Sequence, residues 1–236
     1  MDNRINTYNN ILKSYQNLRK DEMNSMAAVI TIASACLKTN KFINQKTSEQ
    51  YNPLLYFNIR ETLNSRILAD LLNPKHKHGQ KDLFLSEYLK SIQLEYNESD
   101  IWDIRCESEN VDIVLTATKP RRVVVIENKI NGACDQPNQL YRYYQLKIEQ
   151  HYAFEEKKEH PERYKIVYLT KHAEKKCSDN SIFSADSKDR VPEELIVNQT
   201  FSLDIKNILE NCLTQIDKDN FRMKAFINFF IEQTTI

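Results

Sequence analysis

Glycine is nearly missing from this chain, with two in 236 residues. Loops of the GxGxxG and P-loop kind need glycines so that the backbone can approach a phosphate, and neither pattern occurs. The five cysteines (Cys36, Cys106, Cys134, Cys177, Cys212) are scattered and form no CxxC pair. An odd count of lone thiols fits a reducing cytoplasm better than a disulfide framework. No charge dominates either: 33 Lys and Arg face 33 Asp and Glu. Proteins that coat polyanions without selectivity carry a basic excess. Contact with nucleic acid would therefore need a local patch, or cations that offset clustered carboxylates. The longest strongly apolar run, Met26 to Leu37, has twelve residues. That is shorter than a bilayer span, so no transmembrane helix and no membrane partner are expected. The 25 residues ahead of Met26 are too long and too helical for the charged part of a signal peptide, and the expectation is a cytoplasmic protein.

What is present is an ordinary globular composition, 41% hydrophobic and 28% charged, which excludes disorder over the whole length. The size suits one large domain, or one domain with an appendage. Ile5, Tyr8, Leu12 and Tyr15 recur at helical spacing. After the polar Lys20-Asp21-Glu22, the run to Leu37 reads as a second helix. Residues 1–50 are thus expected to be a helical hairpin appended to a core at 51–236. Its apolar surface exceeds what two helices bury against each other, so it would pack on the core or on a second copy of the chain.

From Asn58 the pattern changes. Asn58 and Glu61 form a possible capping box for a helix ended by Asn73-Pro74. A second helix carries Leu83, Phe84, Tyr88, Leu89 and Ile92. Three strands follow, Trp102–Glu107, Val111–Ala117 and Arg121–Ile130, with Lys119-Pro120 as a turn. Pro137 opens a helix through about Gln150, Tyr164–Thr170 is a fourth strand, and 171–192 is a polar loop. Ser202–Ile216 and Asn220–Glu232 are further helices. This order gives an α/β domain, with helices flanking a central sheet.

The chemistry gathers in two strands. In Arg121–Ile130 a β-branched core runs into Glu127-Asn128-Lys129. Alternation puts Glu127 and Lys129 on one face, roughly 6–7 Å apart. Glu-x-Lys occurs four times here, but only the copy at Glu127 follows a hydrophobic strand. Asp112 sits among apolar residues of the preceding strand, and a hairpin turned at Lys119-Pro120 allows it to stand beside Glu127. Two adjacent carboxylates repel unless a cation separates them, and a hard divalent ion is the natural occupant. Asp103 is a second candidate aspartate, though one strand further away. Lys119, Arg121, Arg122 and Arg142 are candidates for a phosphate-touching patch, with a solvated hairpin tip as the competing reading. His76 and His78 read as a solvated loop, and His172 and Cys177 have no partners at zinc spacing.

Asp112, then Glu127-x-Lys129 at a strand end, then a helix bearing Gln139-x-x-x-Tyr143 resembles the PD-(D/E)xK nuclease superfamily. The QxxxY helix is similar to that of its RecB-type branch. The stretch from Asn58 through Glu61 and Ser65 to Pro74, with His78-Gly79 after it, resembles a bacterial family of the same superfamily. Val111 stands where the superfamily name has proline. The resemblance covers about 56–170 and implies a restriction-endonuclease-like αβββαβ core with a mixed sheet, to which the hairpin and the carboxy-terminal helices are added. It implies that Asp112 and Glu127 hold Mg²⁺ or Mn²⁺, with Glu61 supporting directly or through water. Lys129 would orient or activate the attacking water, and Gln139 and Tyr143 would position substrate. The expected activity is hydrolysis of nucleic acid, DNA foremost. The competing expectation is a silent nuclease fold that binds nucleic acid or a protein partner. Homo-oligomers through the amino-terminal helices are a further expectation.

Overall fold

A computed structural model describes residues 2–48, 51–57, 59–108, 111–149 and 159–235, with side chains omitted for 2–11 and 108. The chain divides into two compact units, Met1–Tyr51 and Asn52–Ile236.

The first unit is one helix, α1 (Asp2–Thr47), and not a hairpin. Lys20, Asp21 and Glu22 are polar but contain neither Gly nor Pro, and nothing in them stops helical propagation. Ile5 and Tyr8 lie among the residues whose side chains are outside the description. Leu12, Tyr15, Met26 and Ile30 are exposed, since the described residues of this unit hold no second helix to cover them. The twelve-residue count also understates this helix. Uncharged Ser, Thr, Asn and Ala extend the run until an 18-residue window reaches a mean hydropathy of 1.2 with at most two charged residues. By length and composition alone it meets the requirement for a bilayer span, a property shared by many long apolar helices, so it carries no membrane assignment.

The second unit is built on a five-stranded sheet in the order β1-β2-β3-β4-β5. The strands are β1 (Trp102–Ser108), β2 (Val111–Thr118), β3 (Arg121–Lys129), β4 (Tyr164–Thr170) and β5 (Ile196–Thr200). The first three are antiparallel neighbours, and β4 and β5 run parallel to β3. The sheet is therefore mixed, as expected. The strand β5 is absent from the sequence reading. Ile-Val-Asn-Gln-Thr is short and ends polar, and it becomes a strand by pairing with β4.

Helices cover both faces. Helix α2 (Glu61–Leu72) and helix α3 (Leu83–Ser91) pack with the two carboxy-terminal helices on one side. Their core includes Leu68, Leu72, Phe84, Leu89, Val124, Ile126, Phe201 and Phe230. Helix α4 (Gln139–Tyr144) covers the other side, where Leu140 and Tyr143 meet Val123, Val125 and Ile166. Past Tyr144 the helix widens into a π-type turn over Gln145–Glu149, and Gln150 lies outside the described residues. With β3 buried on both faces, its run Val-Val-Val-Ile is apolar without alternation.

Helix α2 begins at Glu61, two residues later than a cap at Asn58 would start it. Arg60 is its extended N-cap and offers no side-chain cap bond, while Asn58 lies outside the described residues. The carboxy-terminal helices are Lys206–Gln215 (α5), entered through a π-type turn at Phe201–Ile205, and Phe221–Thr235 (α6). The Thr200 side chain accepts from the Leu203 N–H and starts that run.

Candidate active site

Three residues at the end of β3 divide between the two faces of the sheet. Glu127 and Lys129 follow Val123 and Val125 onto the α4 side, and Asn128 follows Val124 and Ile126 onto the α2 side. The β2–β3 ladder pairs Ile113 with Ile126, and one step further brings Asp112 opposite Glu127 on the α4 side. Glu127 and Lys129 are only 3% and 5% exposed. Charges buried to that degree need partners. Lys129 Nζ stands 2.7 Å from Glu127 Oε1 and donates to Gln139 Oε1 at 3.0 Å.

Helix α4 supplies the remaining bonds. Gln139 Nε2 donates to Glu127 Oε1 at 2.8 Å and to Tyr143 Oη at 2.9 Å. The amide is oriented without ambiguity, since lysine only donates and a carboxylate only accepts. Spacing by four residues places Gln139 and Tyr143 on one helix face, as the motif requires. Burial first, and then the Glu127 charge, hold the Tyr143 phenol above its ordinary range.

On the opposite face Asn128 ties the strand to α2. Its Nδ2 donates to Ser65 Oγ at 3.0 Å and to the Glu61 carbonyl at 3.3 Å, and its Oδ1 accepts from the Ile130 N–H at 3.1 Å. Its backbone N–H donates to Asp112 Oδ2 at 2.7 Å. Glu61 Oε1 accepts from the Asn131 N–H at 3.2 Å. The first turn of α2 is therefore held against the strand end, and Glu61 closes the site from the α2 side.

Together these groups line a cleft of about 790 Å³ that holds Glu61, Asp112, Glu127, Lys129, Gln139 and Tyr143. All six residues expected from the sequence are brought together. Burial raises the Asp112 carboxyl, with Glu61 adding to the rise and the Asn128 N–H opposing it. Burial and the neighbouring Asp112 push Glu127 up to about 7, against the pull of Lys129. Asp112 and Glu127, with Glu61 beside them, are the oxygen donors that could hold a cation. A hard divalent ion suits this donor set, because it would relieve the mutual repulsion. Among the described residues no three His, Cys, Asp or Glu side chains form a ready-made ion cage.

Other candidates lie elsewhere. Asp103 is exposed and bonded to Arg105 at 2.7 Å. Arg122 is buried in an ion pair with Asp100 at 2.5 Å, Arg121 starts β3 about 20 Å from Glu127 by strand rise, and Lys119 lies in the turn before it. The four-residue basic patch does not form, and only Arg142 reaches the cleft. His78 accepts from the Gln80 N–H at Nδ1 and meets the Asn73 carbonyl at Nε2, so it serves its own loop. Sequence reasoning assigned no role to Asn128, Ser65 or Gln136. Their one signal was position, Asn128 inside the Glu-x-Lys triplet and Ser65 one turn after Glu61.

The sequence model of the PD-(D/E)XK nuclease superfamily matches residues 51–232, and the chain belongs to that superfamily. Nuclease chemistry in the general sense follows from that membership. The chain matches no curated protein and no solved structure.

Proposed function

We propose that the protein is a divalent-metal-dependent nuclease that hydrolyses phosphodiester bonds of DNA in the cytoplasm. One observation supports this most: Asp112 stands opposite Glu127, and Lys129 lies on the same face, two residues on. Asp112 and Glu127 would hold Mg²⁺ or Mn²⁺, with Glu61 assisting. The ion would supply Lewis acidity to the scissile phosphate and to the attacking water. Lys129, with two of its three N–H groups on Glu127 and Gln139, would donate the third to the attacking water, and its charge would stabilise the phosphate oxygen on which charge grows. Gln139 would keep Lys129 and Glu127 in register, and Tyr143 would fix Gln139 from behind. Attack would run in line and expel an oxygen leaving group.

The test is cleavage of plasmid and single-stranded DNA with Mg²⁺, Mn²⁺ or EDTA, beside a calorimetric metal titration of wild type and Asp112→Asn. The reading expects metal-dependent cleavage, and loss of both cleavage and metal binding in the variant. Wild-type protein that cleaves nothing and binds no divalent ion would overturn it.

A further inference from the structure

The charged groups lining the cleft are unequal in number. Glu61, Glu107, Asp112 and Glu127 face two cations, Lys129 and Arg142. Lys129 is already engaged by Glu127. Arg142 is exposed to solvent and follows Gln139 by three residues, which puts it near the same helix face at the rim of the cleft. It is also held. Its Nη2 donates to Gln136 Oε1 at 3.0 Å, and the backbone N–H of Gln136 donates to Gln139 Oε1 at 3.2 Å. Gln139 Oε1 is the same atom that accepts from Lys129. A row of hydrogen bonds thus connects the buried lysine to the exposed guanidinium through two glutamines.

A pre-positioned guanidinium beside an acidic cleft suits a second phosphate of the substrate. Its planar fork matches phosphate oxygens, and the glutamine anchor limits the freedom lost on binding. We propose that Arg142 binds a backbone phosphate adjacent to the scissile one, and that Gln136 is the positioning residue which aims it. This rests on the nuclease reading and adds to it a substrate contact outside the catalytic set. It also requires a substrate with at least two neighbouring phosphodiesters.

The test measures binding of labelled single-stranded and duplex oligonucleotides by anisotropy in calcium buffer over a salt series. Arg142→Ala and Arg142→Gln should weaken binding by about tenfold or more and reduce the slope of log Kd on log salt by about 0.7 for single strands and 0.9 for duplex. Metal titration and melting temperature should stay at wild-type values in both variants. Arg142→Lys should keep the slope and recover only part of the affinity. Gln136→Ala should weaken binding less than Arg142→Ala, and the double variant should be no worse than Arg142→Ala alone. Arg190→Ala, which removes an arginine outside the cleft, should change nothing. If wild type binds and Arg142→Ala keeps its affinity and slope, this proposal alone is overturned. If wild type binds neither oligonucleotide, the nuclease reading and this proposal fall together.

Discussion

Asn128 and Ser65 are joined by a 3.0 Å hydrogen bond across 63 residues of sequence, and both are buried. The bond fixes helix α2 to the end of β3 at the point where one strand carries Glu127 and Lys129. Removing the Asn128 amide takes from the Ser65 hydroxyl and the Ile130 N–H a bond that each makes in a buried interface. Asn128→Leu is expected to cost about 1–3 kcal/mol, and Ser65→Ala about 1 kcal/mol. Urea denaturation of the two single variants and the double variant measures this. Independent, additive losses would mean that the pair does not act as a unit.

Gln139 offers its two amide ends to opposite charges, Lys129 and Glu127. Gln139→Glu replaces the donor facing Glu127 with a second carboxylate, so it should lower stability at neutral pH and shift metal affinity. Gln139→Ala should lower cleavage and also disturb metal affinity, because Glu127 loses a positioning bond. Tyr143→Phe removes the hydroxyl that accepts from Gln139 and should reduce activity in a folded protein. Calorimetry beside initial rates separates the two effects; unaltered rates in all three variants would remove α4 from the mechanism.

The apo protein should lose stability as the pH rises from about 4.5 to about 7. Folded Glu127 titrates at about 7 against an ordinary 4.5. Between these values the native state holds more protons than the unfolded chain, so stability falls with rising pH. The contribution is fully present below about 4.5 and is gone above about 7. Asp112, also raised, adds in the same direction. Melting temperature against pH in EDTA should slope downward through this window and flatten in Glu127→Gln. A flat wild-type profile would show that the carboxylates do not strain the apo fold.

How much of this was legible in the sequence depends on the range of each interaction. Glu127, Lys129 and Asp112 were readable because strand alternation and a single turn fix their relation within eighteen residues. The Asn128–Ser65 bond was not, since its partners come from separate elements and Asn and Ser carry no period. The continuity of α1 is hidden in the sequence, since Lys20–Glu22 looks like a polar interruption although the propensity of these residues allows a helix to continue. β5 was missed because its partner is β4, and a five-residue strand gains its identity from the neighbour that pairs with it.

Arg122 illustrates the same limit and yields a stability test. It was a phosphate candidate by sequence, yet its guanidinium is 1% exposed and meets an Asp100 carboxylate that is 2% exposed. Asp100→Ala leaves the buried guanidinium with only a solvent-exposed carboxylate for a partner, so it should cost about 3 kcal/mol, the low end for a broken buried pair. Its second partner, Glu95, is 75% exposed, and Glu95→Ala should cost no more than about 1 kcal/mol. Denaturant melts of the two variants decide this, and near-equal losses would contradict the burial argument.

Lys129 separates chemistry from metal binding most sharply. It is not an oxygen donor, so Lys129→Ala should keep a divalent ion at Asp112 and Glu127, and removing a neighbouring positive charge should not weaken the ion. The same change removes the buried cation beside Glu127 and should slow cleavage by about 10²-fold or more, the scale of one oriented electrostatic group. The lysine is 5% exposed and fits between Glu127 and Gln139 at 2.7 and 3.0 Å. A guanidinium is larger and planar, so Lys129→Arg should rescue little. Lys129→Gln should keep the side-chain volume and still lack the charge, and its rate should match that of Lys129→Ala. Single-turnover cleavage beside calorimetric titration reads the two effects apart. A Lys129→Ala protein that cleaves at the wild-type rate would assign the lysine to folding alone, and one that loses the metal would place it in ion binding.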